Sequence, residues 1–232
     1  MKETILSGPD AVRRHVLQSY RDPRFLFRGE HKDWTHSSLD RFQASKQIIK
    51  EHWDEFDSRR RQLVYCLNIA VNEQPLESFR SAATEHVSAK SLLDDEGPLD
   101  LNGLIYATLQ HYGLPSPFID LSENLETALF FASDPPDPTT DVALIFVIDS
   151  SHDEIANRLI RMPDTQLYRE SRHARQTAHG LFLQPGSGIR AVNYTKNEDF
   201  RHLDGVIEKI RFPWPAKDRE PFNLQLTAVG YR

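Results

Sequence analysis

The stretch "LQHYGLPSPFIDLSENLETALFFA", residues 109–132, mixes polar and apolar residues in an order that ordinary core packing does not require. A helical pattern over residues 99–112 ends in His111-Tyr112-Gly113, with Gly113 placed as a left-handed cap. Two prolines follow, and residues 117–121 then read as a strand. Asp120 stands in that strand between Ile119 and Leu121, so its carboxylate is partly buried and needs partners. Ser122-Glu123-Asn124 opens the next helix, which runs to Ala132; Ser122 is the expected N-cap, and Glu123 and Glu126 suit the positive end of the helix. Asp120, Ser122 and Asn124 therefore surround one strand-to-helix turn. They either bond the turn backbone as a structural corner or line a site.

Outward from this turn, the hydrophobic periodicity alternates between helix and strand. Residues 10–20 read as a helix, with Val12, Val16, Leu17 and Tyr20 on one side. "RFLFRGE", residues 24–30, is short, aromatic and strand-like. Residues 45–71 carry apolar positions near 3.6 spacing, as expected of a long amphipathic helix, and residues 76–88 follow as another. "VALIFVIDS", residues 142–150, is apolar throughout, which suits a central strand covered on both faces. A short helix over 153–160 and strands at "GLFLQP", 189–194 and 206–212 complete the pattern. Helices at the front with strands throughout predict one α+β domain over residues 1–232. Its N-terminal helical part spans about 1–112, and one mixed β-sheet forms the core over about 113–232.

Composition narrows the class. The net charge of −6 argues against a surface that binds phosphate backbones non-specifically. A local track from Arg158, Arg161, Arg169, Arg172 and Arg175 leaves a narrower nucleic-acid surface open, the alternative being a solvated face. The single cysteine, Cys66, excludes an internal disulfide framework, and its apolar helical setting suits a buried, inert thiol. "MKETILSGPDAVRRH" lacks the apolar core of a signal peptide, and no run approaches the roughly 20 apolar residues of a spanning helix. A cytoplasmic protein with no membrane association is expected.

Ten histidines raise a metal hypothesis that their spacing does not support. His173 and His179 are six apart and His31 and His36 five apart, and there is no cysteine pair and no His-Glu-x-x-His. No metal is expected. Walker, G-x-G-x-x-G and G-x-S-x-G motifs are absent too. Arg28 is more informative. It alternates with apolar neighbours on a strand, where a guanidinium is costly unless it meets a carboxylate or a phosphate. An internal ion pair to Asp120 or Glu30 and a contact to a ligand phosphate are both open.

Taken together, these residues resemble the FRG domain family, named for its Phe-Arg-Gly tripeptide, here Phe27-Arg28-Gly29. Trp34, Ser38-Leu39 and Arg41 match the downstream tryptophan and Ser-Leu-x-Arg element. Gln110-His111-Tyr112-Gly113 matches the Gln-His-Tyr-Gly turn, and Asp120, Ser122, Asn124 and "ALFFA" match the Asp-x-[Ser/Thr]-x-Asn segment with its helix. Arg172, Gln176, Gly180 and Phe182 are similar to a later Arg-x-x-x-Gln-x-x-x-Gly-x-Phe element. The chain departs from the family at Pro115-Ser116-Pro117, where Pro-Thr-Arg is common, and at Leu121, where an aromatic is usual.

The order of elements also resembles the ADP-ribosyltransferase fold. That resemblance implies NAD as substrate, no metal, and ADP-ribose transfer to a protein or nucleic-acid acceptor, or NAD cleavage, as in a toxin or a phage-defence effector. Arg28, Gly29, His111, Tyr112, Asp120, Ser122 and Asn124 would form the NAD site, and Gln176 or Glu208 would act at the reacting ribose. The alternative is a non-catalytic FRG module binding a nucleotide, a nucleic acid or a peptide.

Overall fold

The computed structural model describes residues 1–33, 118–133, 141–161, 178–182, 199–215, 217–219 and 221–222. Within them the chain runs β1 (Lys2–Ile5), α1 (Pro9–Ser19), β2 (Phe25–Glu30), β3 (Phe118–Ser122), α2 (Leu125–Ser133), β4 (Val142–Asp149), α3 (Asp153–Ala156), β5 (Leu159–Arg161), β6 (Ala178–Phe182), a 3-10 turn (Phe200–His202) and β7 (Val206–Pro213). Among the described residues, seven strands form one sheet in the order β1-β7-β4-β2-β3-β6-β5. The β1–β7 pair is parallel and every other neighbouring pair is antiparallel, so the fold is α+β around a mixed sheet.

Two of the inner strands, β4 and β2, explain their own sequences. β4 is apolar from Val142 to Ile148 because both of its faces are covered, and β2 is buried at all six positions, including Arg28 and Glu30. Alternation sorts these side chains onto two cores. Phe25, Phe27, Ile145, Val147, Ile210 and Phe212 meet Val12 and Val16 of α1 and Ala128, Leu129 and Ala132 of α2 on one face. Leu26, Ile119, Leu121, Phe146 and Ile148 meet Ile155, Phe200 and Leu203 on the other. Arg13 ties the two helices together through a bidentate pair with Glu126, at 2.7 and 2.8 Å.

Several boundaries differ from the sequence reading, each for a local reason. The sheet is not confined to the part after residue 113, because β1 and β2 both lie in it. β1 was not expected: "KETI" is mostly exposed and carries little apolar signal. The helix expected over 153–160 stops at Ala156, and Leu159–Arg161 pairs with β6 instead. The helix of the opening stretch begins at Leu125, not at Ser122. Ser122 completes β3, and the Asn124 side chain caps α2 by accepting from Glu126 N at 2.8 Å. The helices expected over 45–71, 76–88 and 99–112, Cys66 and the strand at 189–194 lie outside the described residues.

Candidate functional site

The FRG tripeptide sits in the middle of the sheet, and each of its residues has a separate task. Phe27 enters the core under α1 and α2. Gly29 lies where α2 crosses β2, and a Cβ there would run into the Ala128 carbonyl, so only glycine allows the helix to sit this close. Arg28 points to the opposite face. Its side chain is 9% exposed, its Nη2 pairs with the Glu30 carboxylate, and its Nη1 donates to the Asp120 backbone carbonyl at 3.0 Å. Positions i and i+2 of a strand share a face, which is why Arg28 meets Glu30. The Phe200 ring covers the guanidinium at 5.9 Å, and Arg28 Nε has no hydrogen-bond partner among the described residues.

The expected Asp120 contact is therefore made by its backbone, not by its carboxylate. Phe27 pairs with Ser122 across β2 and β3, which places Ser122 and Asp120 on the α2 face. Arg28 projects from the other face and reaches only the carbonyl. Ser122 is buried and its Oγ accepts from Asn124 N at 3.0 Å. With Asn124 capping α2, these two side chains serve the turn.

Glu208 also projects from the α2 face. Val147 pairs with both Phe27 and Glu208, whereas Phe146 pairs with Arg28 and Lys209. Arg28 and Glu208 thus stand on opposite sides of the sheet. The unbroken register of β7 on β4, with Lys209 opposite Phe146 and Glu208 opposite Val147, sets this phase; the bulge at Ile207 lies beyond it and turns Val206 to the Arg28 face. The Glu208 side chain is fully buried and collects four donors. Thr4 and Lys2 reach Oε1, the latter at 3.0 Å, while His15 at 3.0 Å and the Tyr20 hydroxyl reach Oε2. Burial alone would raise this carboxyl, but the hydrogen bonds from Thr4, Tyr20, His15 and Lys2 outweigh it and hold the pKa at about 2. Burial and the adjacent carboxylate push the Tyr20 hydroxyl well above the usual phenol range.

His111, Tyr112 and Gln176 lie outside the described residues, as do Arg169, Arg172 and Arg175. Arg158 is spent on an i,i+4 pair with Glu154 at 3.2 Å. Among the described residues, no group of three His, Cys, Asp or Glu could hold a metal ion, and no helix is long and apolar enough to cross a membrane.

A cavity of about 410 Å³ opens beside the end of β2, on the Arg28 face. His31, Lys32 and Asp33 form one wall, the start of β4 with Val142 and Leu144 forms the floor, and Lys209 and Arg211 of β7 close it. Sequence reasoning missed it, although "EKIRF" carried the signal: Lys209 and Arg211 alternate and so share a face.

No curated protein and no solved structure matches the chain. The model of the FRG domain family matches residues 23–141, which contain β2, β3 and α2 and end where β4 begins. With that match covering just over half of the 232 residues, the chain belongs to the FRG domain family.

Proposed function

We propose that this FRG domain is a ligand-binding module of the nucleotide class, with NAD as the first ligand to test, rather than an enzyme that transfers ADP-ribose. The observation that supports this reading is the placement of Arg28 and Glu208 on opposite faces of the sheet. Breaking the nicotinamide–ribose bond builds positive charge on the ribose, so a carboxylate must stand next to the atoms whose diphosphate the arginine holds. An ADP-ribosyltransferase-like arrangement built on Arg28 and Glu208 needs both groups at one opening.

Each group is also committed within the fold. An ionised carboxylate offers about four lone-pair sites, and Glu208 already receives Thr4, Lys2, His15 and Tyr20. The Arg28 charge is neutralised by Glu30, whose carboxylate would repel a diphosphate. Gln176 can orient a hydroxyl but supplies no charge. ADP-ribose transfer to a protein or nucleic-acid acceptor, and a toxin or defence role built on it, would therefore need a different carboxylate.

The test is incubation of the full chain with NAD, followed by chromatography for nicotinamide and a melting curve. A rise in Tm with NAD and no nicotinamide release is expected. Nicotinamide release that disappears in Glu208→Gln would overturn the reading in favour of catalysis. No rise in Tm with NAD or any other nucleotide would overturn the binding role.

A further inference from the structure

The structure assigns the cavity beside β2 as a site for a nucleoside phosphate, with Arg211 holding the phosphate and Asp141 the sugar hydroxyls. This rests on the nucleotide-binding reading above and deepens it. The cavity's volume of about 410 Å³ falls in the range of small-molecule sites. Its lining combines three kinds of surface. Val142 and Leu144 make an apolar floor against which a flat base can lie. Lys32, Lys209 and Arg211 bring three fixed positive charges, and Asp33 and Asp141 bring two negative ones.

Two of these charges decide the assignment. Arg211 is exposed, and its guanidinium makes no hydrogen bond or ion pair among the described residues. Asp141 is exposed as well; its backbone carbonyl accepts from Trp214 N at 2.8 Å, while its carboxylate has no partner among the described residues. Both groups are therefore open to a ligand that enters the cavity. By contrast, Lys209 is held by Asp33 at 2.8 Å, which orients its ammonium without using all three of its donors. A ligand with a doubly acceptor-rich anion at one end and hydroxyl donors in the middle satisfies both free groups. A guanidinium fork suits the phosphate and a carboxylate suits vicinal hydroxyls. The register supports a shared orientation: Leu144 pairs with Arg211, so the floor and the phosphate-holding residue project from the same face.

The experiment is isothermal titration of the full chain with AMP, adenosine and inorganic phosphate, repeated on Arg211→Ala and Asp141→Asn. Both positions are exposed, and circular dichroism checks that the variants fold. AMP is expected to bind wild type at least about tenfold more tightly than adenosine, as a charge-assisted hydrogen bond predicts. Arg211→Ala should remove that difference, and Asp141→Asn should weaken AMP and adenosine alike while leaving inorganic phosphate unchanged. If AMP affinity is unchanged in both variants, the site is elsewhere and the assignment fails, although the binding role stands. If wild type binds NAD but not AMP, the assignment also fails on its own. If Arg211→Ala abolishes binding and wild type nevertheless releases nicotinamide, the site stands and the non-catalytic reading falls.

Discussion

Arg28 donates to the backbone carbonyl of Asp120 at 3.0 Å, yet the two side chains project from opposite faces of the sheet. The contact joins β2 to β3 where the register records a single Cα pair, Phe27 with Ser122. The buried arginine thus supplements a short ladder, and its charge is balanced by Glu30 rather than by Asp120.

Arg28→Ala should cost about 3–5 kcal/mol of stability, because it breaks a buried ion pair with the Glu30 carboxylate. Urea denaturation measures this. Adding Glu30→Gln to the alanine variant should recover part of the loss, whereas an unchanged or deeper loss in the double variant would mean that the two side chains are not coupled.

Gly29→Ala should destabilise by about 1–3 kcal/mol or more, since α2 has to move away from β2 to admit a methyl group at the Ala128 carbonyl. A Tm within a degree of wild type would be incompatible with this packing.

Glu208 makes stability depend on pH in a defined direction. Its folded pKa of about 2 lies below the value of an unfolded glutamate, so its contribution is fully present above roughly pH 4.3 and is lost as the pH falls towards 2. The difference corresponds to about 3 kcal/mol. Denaturation midpoints recorded from pH 6 to pH 2.5 should fall steeply for wild type, and the fall should be shallower for Glu208→Gln. Parallel curves for the two proteins would rule out this origin.

Asn124→Ala removes the side-chain acceptor at the start of α2 and should cost about 1 kcal/mol, read by chemical denaturation. Ser122→Ala, which removes the acceptor for Asn124 N rather than the cap of α2, should cost less. The reverse order would return the capping role to Ser122.

Legibility followed the range of the interaction. "FLFRGE" and "VALIFVID" read correctly as strands because both carry their burial pattern within six to eight residues. The Arg28–Glu30 pair was open to sequence reasoning because i and i+2 on a strand always share a face. The cap shifted by two residues, from Ser122 to Asn124, because either side chain suits an N-cap and the pairing of Ser122 with Ala178 of β6 decides between them. β1 escaped notice because four mostly exposed residues have no periodicity to read; its place depends on Glu208, more than 200 residues away.

The sequence by itself determined the alternation of helix and strand, the central position of β4, the need of Arg28 for a buried partner, and the FRG resemblance. Only the tertiary structure decided that Arg28 and Glu208 belong to different faces. That outcome depends on strand order and on the register that sets Lys209 opposite Phe146 and Glu208 opposite Val147, and a shift of one residue in a strand moves every side chain to the other side of the sheet. Composition and periodicity describe each strand alone, and neither carries the register that joins β7 to β4.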